Sequence, residues 1–148
     1  MRHDVELLTK YRIEELTKEN RDFVLEHIHR DAHLDNINEF IENKNVIAFF
    51  VRTDDDVFAF IHGYVLPRLQ HRPMLYIHNM AVFKKHRHEG LGTLMMNSML
   101  EYAKDNNLSK VFLITNKSNK SAVGLFKKEK GKVPFKDDLV FVWRKEDL

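Results

Sequence analysis

Between Val46 and Phe83 the chain runs through three segments dense in Val, Ile, Phe and Tyr, and at Gly90-Leu91-Gly92 the apolar spacing changes to that of a helix. A β-rich run that passes through glycine into a helix confines the fold. The strands must build a sheet, and the helix must start near the sheet's end and pack back on it. Val46–Val51 and Val57–Leu66 flank Thr53-Asp54-Asp55-Asp56 and predict a hairpin; Pro67 stops the second strand and Met74–Phe83 predicts a third. Strict alternation along that third strand puts Tyr76, His78 and Met80 on one face and Ile77, Asn79 and Ala81 on the other. The helix is expected from Gly90 to Asp105, with Leu91, Leu94, Met95, Met99, Leu100 and Tyr102 as packing residues and Asn106-Asn107 at its end. Met95, Met96 and Met99 read as core residues.

Val5–Thr9 predicts a short first strand and Ile13–His29, with Ile13, Leu16, Phe23, Val24 and Ile28 near helical spacing, a surface helix. Asp35 is placed to cap a second helix through Glu42. Downstream, Val111–Thr115 predicts a strand, Ser118–Lys128 a short helix, Lys127–Lys136 a charged loop and Leu139–Trp143 a closing strand. The order βααβββαβαβ describes an α/β (α+β) domain, and 148 residues with 43% apolar content fit a single domain over 1–148.

A formal net charge of +2, with acidic and basic residues interspersed, does not suit a nucleic-acid or membrane-surface partner. The absence of cysteine excludes a disulfide framework, a thiolate nucleophile and cysteine-based zinc sites. His27 and His29 lie two apart on the expected helix, and His86 and His88 alternate around Arg87, so neither pair forms a ligand set and no metal is expected. No apolar run reaches eighteen residues, and Arg2, Asp4, Glu6 and Lys10 rule out a signal peptide at the start, which points to the cytoplasm.

Arg87-x-x-Gly90-x-Gly92 at a strand-to-helix junction is suited to phosphate: two glycines allow a tight turn, and the helix contributes its unsatisfied first N–H groups and positive dipole end. Lys84, Lys85, Arg87 and the neighbouring His86 and His88 add charge. The junction lacks the Lys-Ser/Thr pair of a triphosphate-binding loop and is not G-x-G-x-x-G. What remains is a pyrophosphate site, or else a turn whose glycines permit close helix packing.

The run Met80-Ala81-Val82, the Arg87-x-x-Gly90-x-Gly92 junction, the amphipathic helix, the strand Val111–Thr115 and Asn119-x-x-Ala122 together resemble the GNAT superfamily of N-acetyltransferases. Gly63-Tyr64-Val65-Leu66-Pro67 with Tyr76-Ile77-His78-Asn79-Met80-Ala81-Val82 is most similar to the aminoglycoside 3-N-acetyltransferases. The resemblance implies a GNAT-like fold with a central mixed, mostly antiparallel sheet flanked by helices, and acetyl-CoA (coenzyme A) as the ligand of the junction. By position, it implies that backbone N–H groups of Arg87, His88, Gly90, Leu91, Gly92 and Thr93 hold the pyrophosphate. Met80, Ala81 and Val82 would carry the pantetheine arm, Asn119 would touch the cofactor from the next helix, and Lys84, Lys85 or Lys120 would meet the ribose phosphate.

Acetyl transfer to an amine needs a proton acceptor, a polarised carbonyl and a stabilised leaving thiolate. The backbone N–H of Met80 is the candidate oxyanion donor, and His78 the candidate base, since a histidine's ordinary pKa of about 6.5 suits the task. A hydrogen-bonded structural histidine is the alternative. Phe126 stands where the family often has a tyrosine acid, leaving Tyr64, Tyr76 or an unassisted thiolate. The resemblance implies a primary amine, small-molecule or peptide, as the acceptor. The aminoglycoside enzymes hold polycations on acidic residues, whereas this chain has Asn79 and Asn116-Lys117-Ser118-Asn119-Lys120. Asp31, Asp35, Glu39 and Glu42 retain some acidity beside the expected cleft, or form a solvated helix face. A protein or peptide N-acetyltransferase, and a CoA-binding protein with weak catalysis, stay open as alternatives. The family's habit of pairing makes a homodimer an open expectation.

Overall fold

The computed structural model describes residues 10–28, 35–83, 87 and 90–148. The expected strand Val5–Thr9, together with His29, Asp31, Lys84, Lys85, His86 and His88, lies outside the described residues. In chain order the elements are β1 (Arg12–Glu15), α1 (Arg21–His27), α2 (Ile37–Glu42), β2 (Val46–Arg52), β3 (Val57–Leu66), β4 (Met74–Val82), α3 (Leu91–Asp105), β5 (Val111–Leu113) and α4 (Lys120–Lys128), with a 3-10 turn at Lys145–Asp147.

The five strands form one sheet in the order β1-β2-β3-β4-β5. Every neighbouring pair is antiparallel except β4 and β5, which the α3 crossover makes parallel. The sheet is thus mixed and mostly antiparallel. One face carries Ile47, Val51, Ala59, Ile61, Leu75 and Ile77 and packs on Leu91, Leu94, Met95 and Met99 of α3. Met95 and Met99 are wholly buried, each burial contributing roughly 1.5–3 kcal/mol. On the opposite face Phe50 and Val57 pack with Val24 of α1 and Ile37 of α2. The Arg52 guanidinium lies 3.5 Å from the Phe23 ring centroid and bonds Glu14 at 3.2 Å, tying α1 to the first two strands.

The continuous helix expected over Ile13–His29 is not formed. Ile13 pairs with Val51 in the β1–β2 ladder, and the Leu16 N–H donates to the Ala48 carbonyl at 2.9 Å. Asn20 then makes the turn, accepting from the Thr17 N–H at 2.9 Å and donating to the Glu15 carbonyl at 2.8 Å. Side-chain to backbone bonds of this kind compete with helix, so α1 begins only at Arg21. Asn36, not Asp35, is the residue preceding the first turn of α2, and no side chain caps that helix.

Leu139–Trp143 does not close the sheet. β5 is only three residues long, and 139–143 pairs with no described strand. Its five side chains remain 60–77% exposed, because β-forming residues make a strand only where a neighbour completes the ladder.

The β3–β4 ladder carries one irregularity: His62 faces Asn79 but Gly63 faces Ile77, so His78 is the extra residue of a β-bulge. The bulge reverses the alternation expected for β4. Leu75 and Ile77 before it, and Met80 and Val82 after it, all pack toward α3, whereas Tyr76 and His78 occupy the other face. Met80 therefore does not share a face with Tyr76 and His78. Gly63 makes the bulge possible, since a Cβ there would collide with the Tyr76 carbonyl oxygen and stand 3.2 Å from the Ile77 Cα. Gly63→Ala is expected to destabilise the fold by about 2 kcal/mol in urea denaturation. Gly124→Ala, in α4 where a Cβ meets nothing within 4 Å, should stabilise it by about 0.5–1 kcal/mol. Equal effects at the two glycines would contradict the packing described.

Candidate active site

β4 and β5 are paired only from Leu75–Val111 to Ile77–Leu113; beyond that point, where the bulge begins, the ladder stops. The Phe83 N–H donates to the Phe58 carbonyl on β3, so by strand alternation the backbone groups of Val82 and Met80 point the other way, toward the edge that β5 has left. The Val82 carbonyl accepts from Arg87 Nε at 3.4 Å, consistent with that direction. A cleft of about 180 Å³ occupies the gap. His78, Asn79 and Met80 form one wall, Leu113, Ile114 and Thr115 the second, and Asn119, Ala122 and Phe126 the third.

Beside this edge stands the N-terminus of α3. Gly90 precedes it with φ 82° and ψ 14°, a left-handed conformation that glycine adopts without steric cost. Among the described residues no side chain caps the helix and no acid lies in its first turn, so the N–H groups of Leu91, Gly92 and Thr93 have neither an intrahelical acceptor nor a described countercharge there. Gly92 serves packing: its Cβ would come within 2.8 Å of Leu125 Cδ2, so the missing side chain lets α4 lie against the first turn of α3. Leu91 and Thr93 are buried, which leaves their backbone rather than their side chains to meet a ligand. Asn119 caps α4, its Oδ1 accepting from the Ala122 N–H at 3.2 Å, with the amide NH2 remaining for another partner.

Across the bulge, His78 is exposed, and its Nδ1 lies 3.2 Å from the Tyr76 hydroxyl. His62, which the sequence reading did not single out, sits with its ring centroid 5.4 Å from that of His78 and 5.0 Å from that of Phe40. It is only 9% exposed, and burial, helped by the nearby His78, holds its pKa down to about 4. The signal for this pair was Gly63, since a glycine inside a strand marks a bulge or close backbone approach. Phe126 sits in the cleft without a hydroxyl, while Tyr76 and Tyr64 lie within ring contact of His78 at 5.6 and 5.7 Å. Glu39 and Glu42 are exposed on α2, and Asn119 and Lys120 open α4. The cleft and the helix start thus place backbone acceptors and donors along an extended arm, and uncapped N–H groups beside its end, as an amide-bearing chain ending in a diphosphate requires.

The model of the acetyltransferase (GNAT) family matches residues 10–131. The chain belongs to that family and is an acetyl-CoA-dependent N-acetyltransferase. No curated protein sequence matches it significantly. Among solved structures it is similar to the aminoglycoside acetyltransferase meta-AAC0020 from an uncultured soil metagenomic sample, with 15% identity, a TM-score of 0.75 and coverage of 93% of this chain and 97% of that one. AAC(6')-Iy in complex with a bisubstrate analogue gives 14%, 0.69, 91% and 97%. A ribosomal-protein-alanine N-acetyltransferase from Brucella melitensis biovar Abortus 2308 gives 15%, 0.66, 89% and 99%. At such identities the likeness is one of fold. Among the described residues no helix is long and apolar enough to cross a membrane.

His62 has a measurable consequence. Its folded-state pKa lies below the ordinary 6.5, so between pH 6.5 and 4 the unfolded chain binds a proton that the folded chain refuses. Its contribution is fully present above pH 6.5 and is lost as pH falls toward 4, by up to about 3 kcal/mol. Relative to wild type, His62→Phe should flatten the fall in unfolding free energy between pH 7 and 4.5. Identical slopes for the two proteins would contradict the burial assigned to His62.

Proposed function

We propose that this chain transfers the acetyl group of acetyl-CoA to a primary amine by direct attack while both substrates are bound. The observation that carries the reading is the unpaired β4 edge at Met80 and Val82 meeting the uncapped start of α3. With no cysteine in the chain, the acetyl group has no thiolate on the protein to rest on.

The bound thioester supplies an activated acetyl group. Met80 and Val82 hold the amide-bearing arm by backbone hydrogen bonds, with Ala81 between them, and the N–H of Met80 is the donor to the carbonyl oxygen as it gains charge. The N–H groups of Arg87, His88, Gly90, Leu91, Gly92 and Thr93 hold the diphosphate. Asn119 reaches the arm through its NH2 group, and Lys120 meets the outer phosphate. His78 takes the ammonium proton, and the Tyr76 hydroxyl, 3.2 Å from Nδ1, fixes its ring and can return a proton to the leaving sulfur. Phe126 keeps water from the cleft. The reading extends to one domain over 1–148 acting in the cytoplasm on a small-molecule or peptide amine. A homodimer is supported by the five exposed apolar side chains at Leu139–Trp143 and by the β5 edge, which no described strand covers.

Two variants test the assignment. Gly90→Val forces a β-branched residue to φ 82° and should weaken acetyl-CoA binding in calorimetry by about tenfold or more while melting stays cooperative; unchanged affinity in the folded variant rules out the cradle. His78→Ala should lower kcat by about a hundredfold or more with acetyl-CoA affinity retained. A full rate across neutral pH removes His78 as the base.

A further inference from the structure

The sheet face opposite α3 carries a second ordered feature, and it lies where an amine must approach His78. Tyr64, Tyr76 and Phe112 are direct cross-strand partners on β3, β4 and β5. Their rings form a row, 6.5 Å from Tyr64 to Tyr76 and 5.0 Å from Tyr76 to Phe112, each step with planes only 24° apart. All three are half-buried, and on this face Phe40 of α2 lies beside His62. The result is a flat aromatic floor that leads to the exposed His78 ring, 5.7 Å from Tyr64 and 5.6 Å from Tyr76.

The faces of such rings attract a cation and offer apolar area to a flat skeleton. One ammonium already uses the floor's outer end, where Lys110 Nζ lies 5.8 Å from the Phe112 centroid. That lysine, with Lys117 and Lys120 exposed along the chain that follows β5, repels a ligand bearing several positive charges. No acid stands on the floor's three strands among Val57–Leu66, Met74–Val82 and Val111–Leu113 to offset this.

Resting on the acetyltransferase reading above, we propose that the acceptor is a primary amine with a single positive charge on a planar aromatic skeleton, laid on Tyr64, Tyr76 and Phe112 with its nitrogen at His78. The ammonium gives one proton to His78, the freed nitrogen forms the new N–C bond to the acetyl carbon, the C–S bond breaks, and a second proton shed by that nitrogen matches the one gained by the sulfur, which leaves the amide, the CoA thiol and protonated His78.

The test measures acetyl transfer with saturating acetyl-CoA to 2-phenylethylamine, propylamine, spermidine and kanamycin, alongside calorimetric binding of acetyl-CoA. The expected result is a kcat/KM for 2-phenylethylamine at least about tenfold above the other three. Phe112→Leu should raise KM for 2-phenylethylamine about fivefold while leaving that for propylamine unchanged, and Phe112→Tyr should restore it. Preference for spermidine, kanamycin or propylamine overturns the aromatic assignment and leaves the acetyltransferase reading standing. So does an unchanged KM in folded Phe112→Leu. Acetyl-CoA binding without transfer to 2-phenylethylamine overturns the assignment too, whereas absence of acetyl-CoA binding overturns the reading on which it rests.

Discussion

The site depends on one extra residue in β4. Because His78 has no counterpart on β3, the strand bends and changes the face of every residue after it. That single change turns the backbone of Met80 and Val82 toward the side where β5 would continue, and the β4–β5 ladder ends at the preceding pair. A regular strand would have filled its hydrogen bonds and closed the sheet. The bulge leaves a cleft instead, and Gly63 is the partner that lets the two backbones approach closely enough to hold it.

Electrostatics then separates the two ends of the cleft. At one end α3 starts, among the described residues, without a cap or an acid in its first turn, behind a left-handed glycine, and its first N–H groups favour negative charge. At the other end buried His62, exposed His78 and the Tyr76 hydroxyl 3.2 Å from His78 Nδ1 are grouped on the opposite sheet face, where His78 is proposed to take the proton. Burial keeps His62 neutral at ordinary pH, so it adds no charge beside the His78 ring. The proposed transfer uses both ends, an anion cradle and a proton acceptor on either side of one strand.

Much of this was legible because it is local. The change from β-rich runs to helical spacing at Gly90 placed β2, β3, β4 and α3 within a residue or two of their observed bounds, and the glycine junction announced the helix start. The bulge was not legible, since alternation counted along Met74–Val82 assumes a partner in register, and the register depends on Gly63 ten or more residues away. Met80 was accordingly placed on the wrong face. Ile13 and Leu16 sit at helical spacing yet pair with β2, a case of tertiary pairing overriding local pattern, and Leu139–Trp143 has strand-forming residues but no described ladder to join. Asn119 was read as a cofactor contact, and its capping bond to Ala122 shows how the same residue also fixes the start of α4.

The central claim is that one strand edge and one helix start form a single binding surface. Amide hydrogen exchange with and without acetyl-CoA tests it most directly, because it reports on those backbone groups one by one. Acetyl-CoA is expected to slow exchange at Met80, Val82 and Leu91–Thr93 and to leave the α1 and α2 amides unchanged. Protection spread evenly over the chain, or confined to α1 and α2, would contradict it.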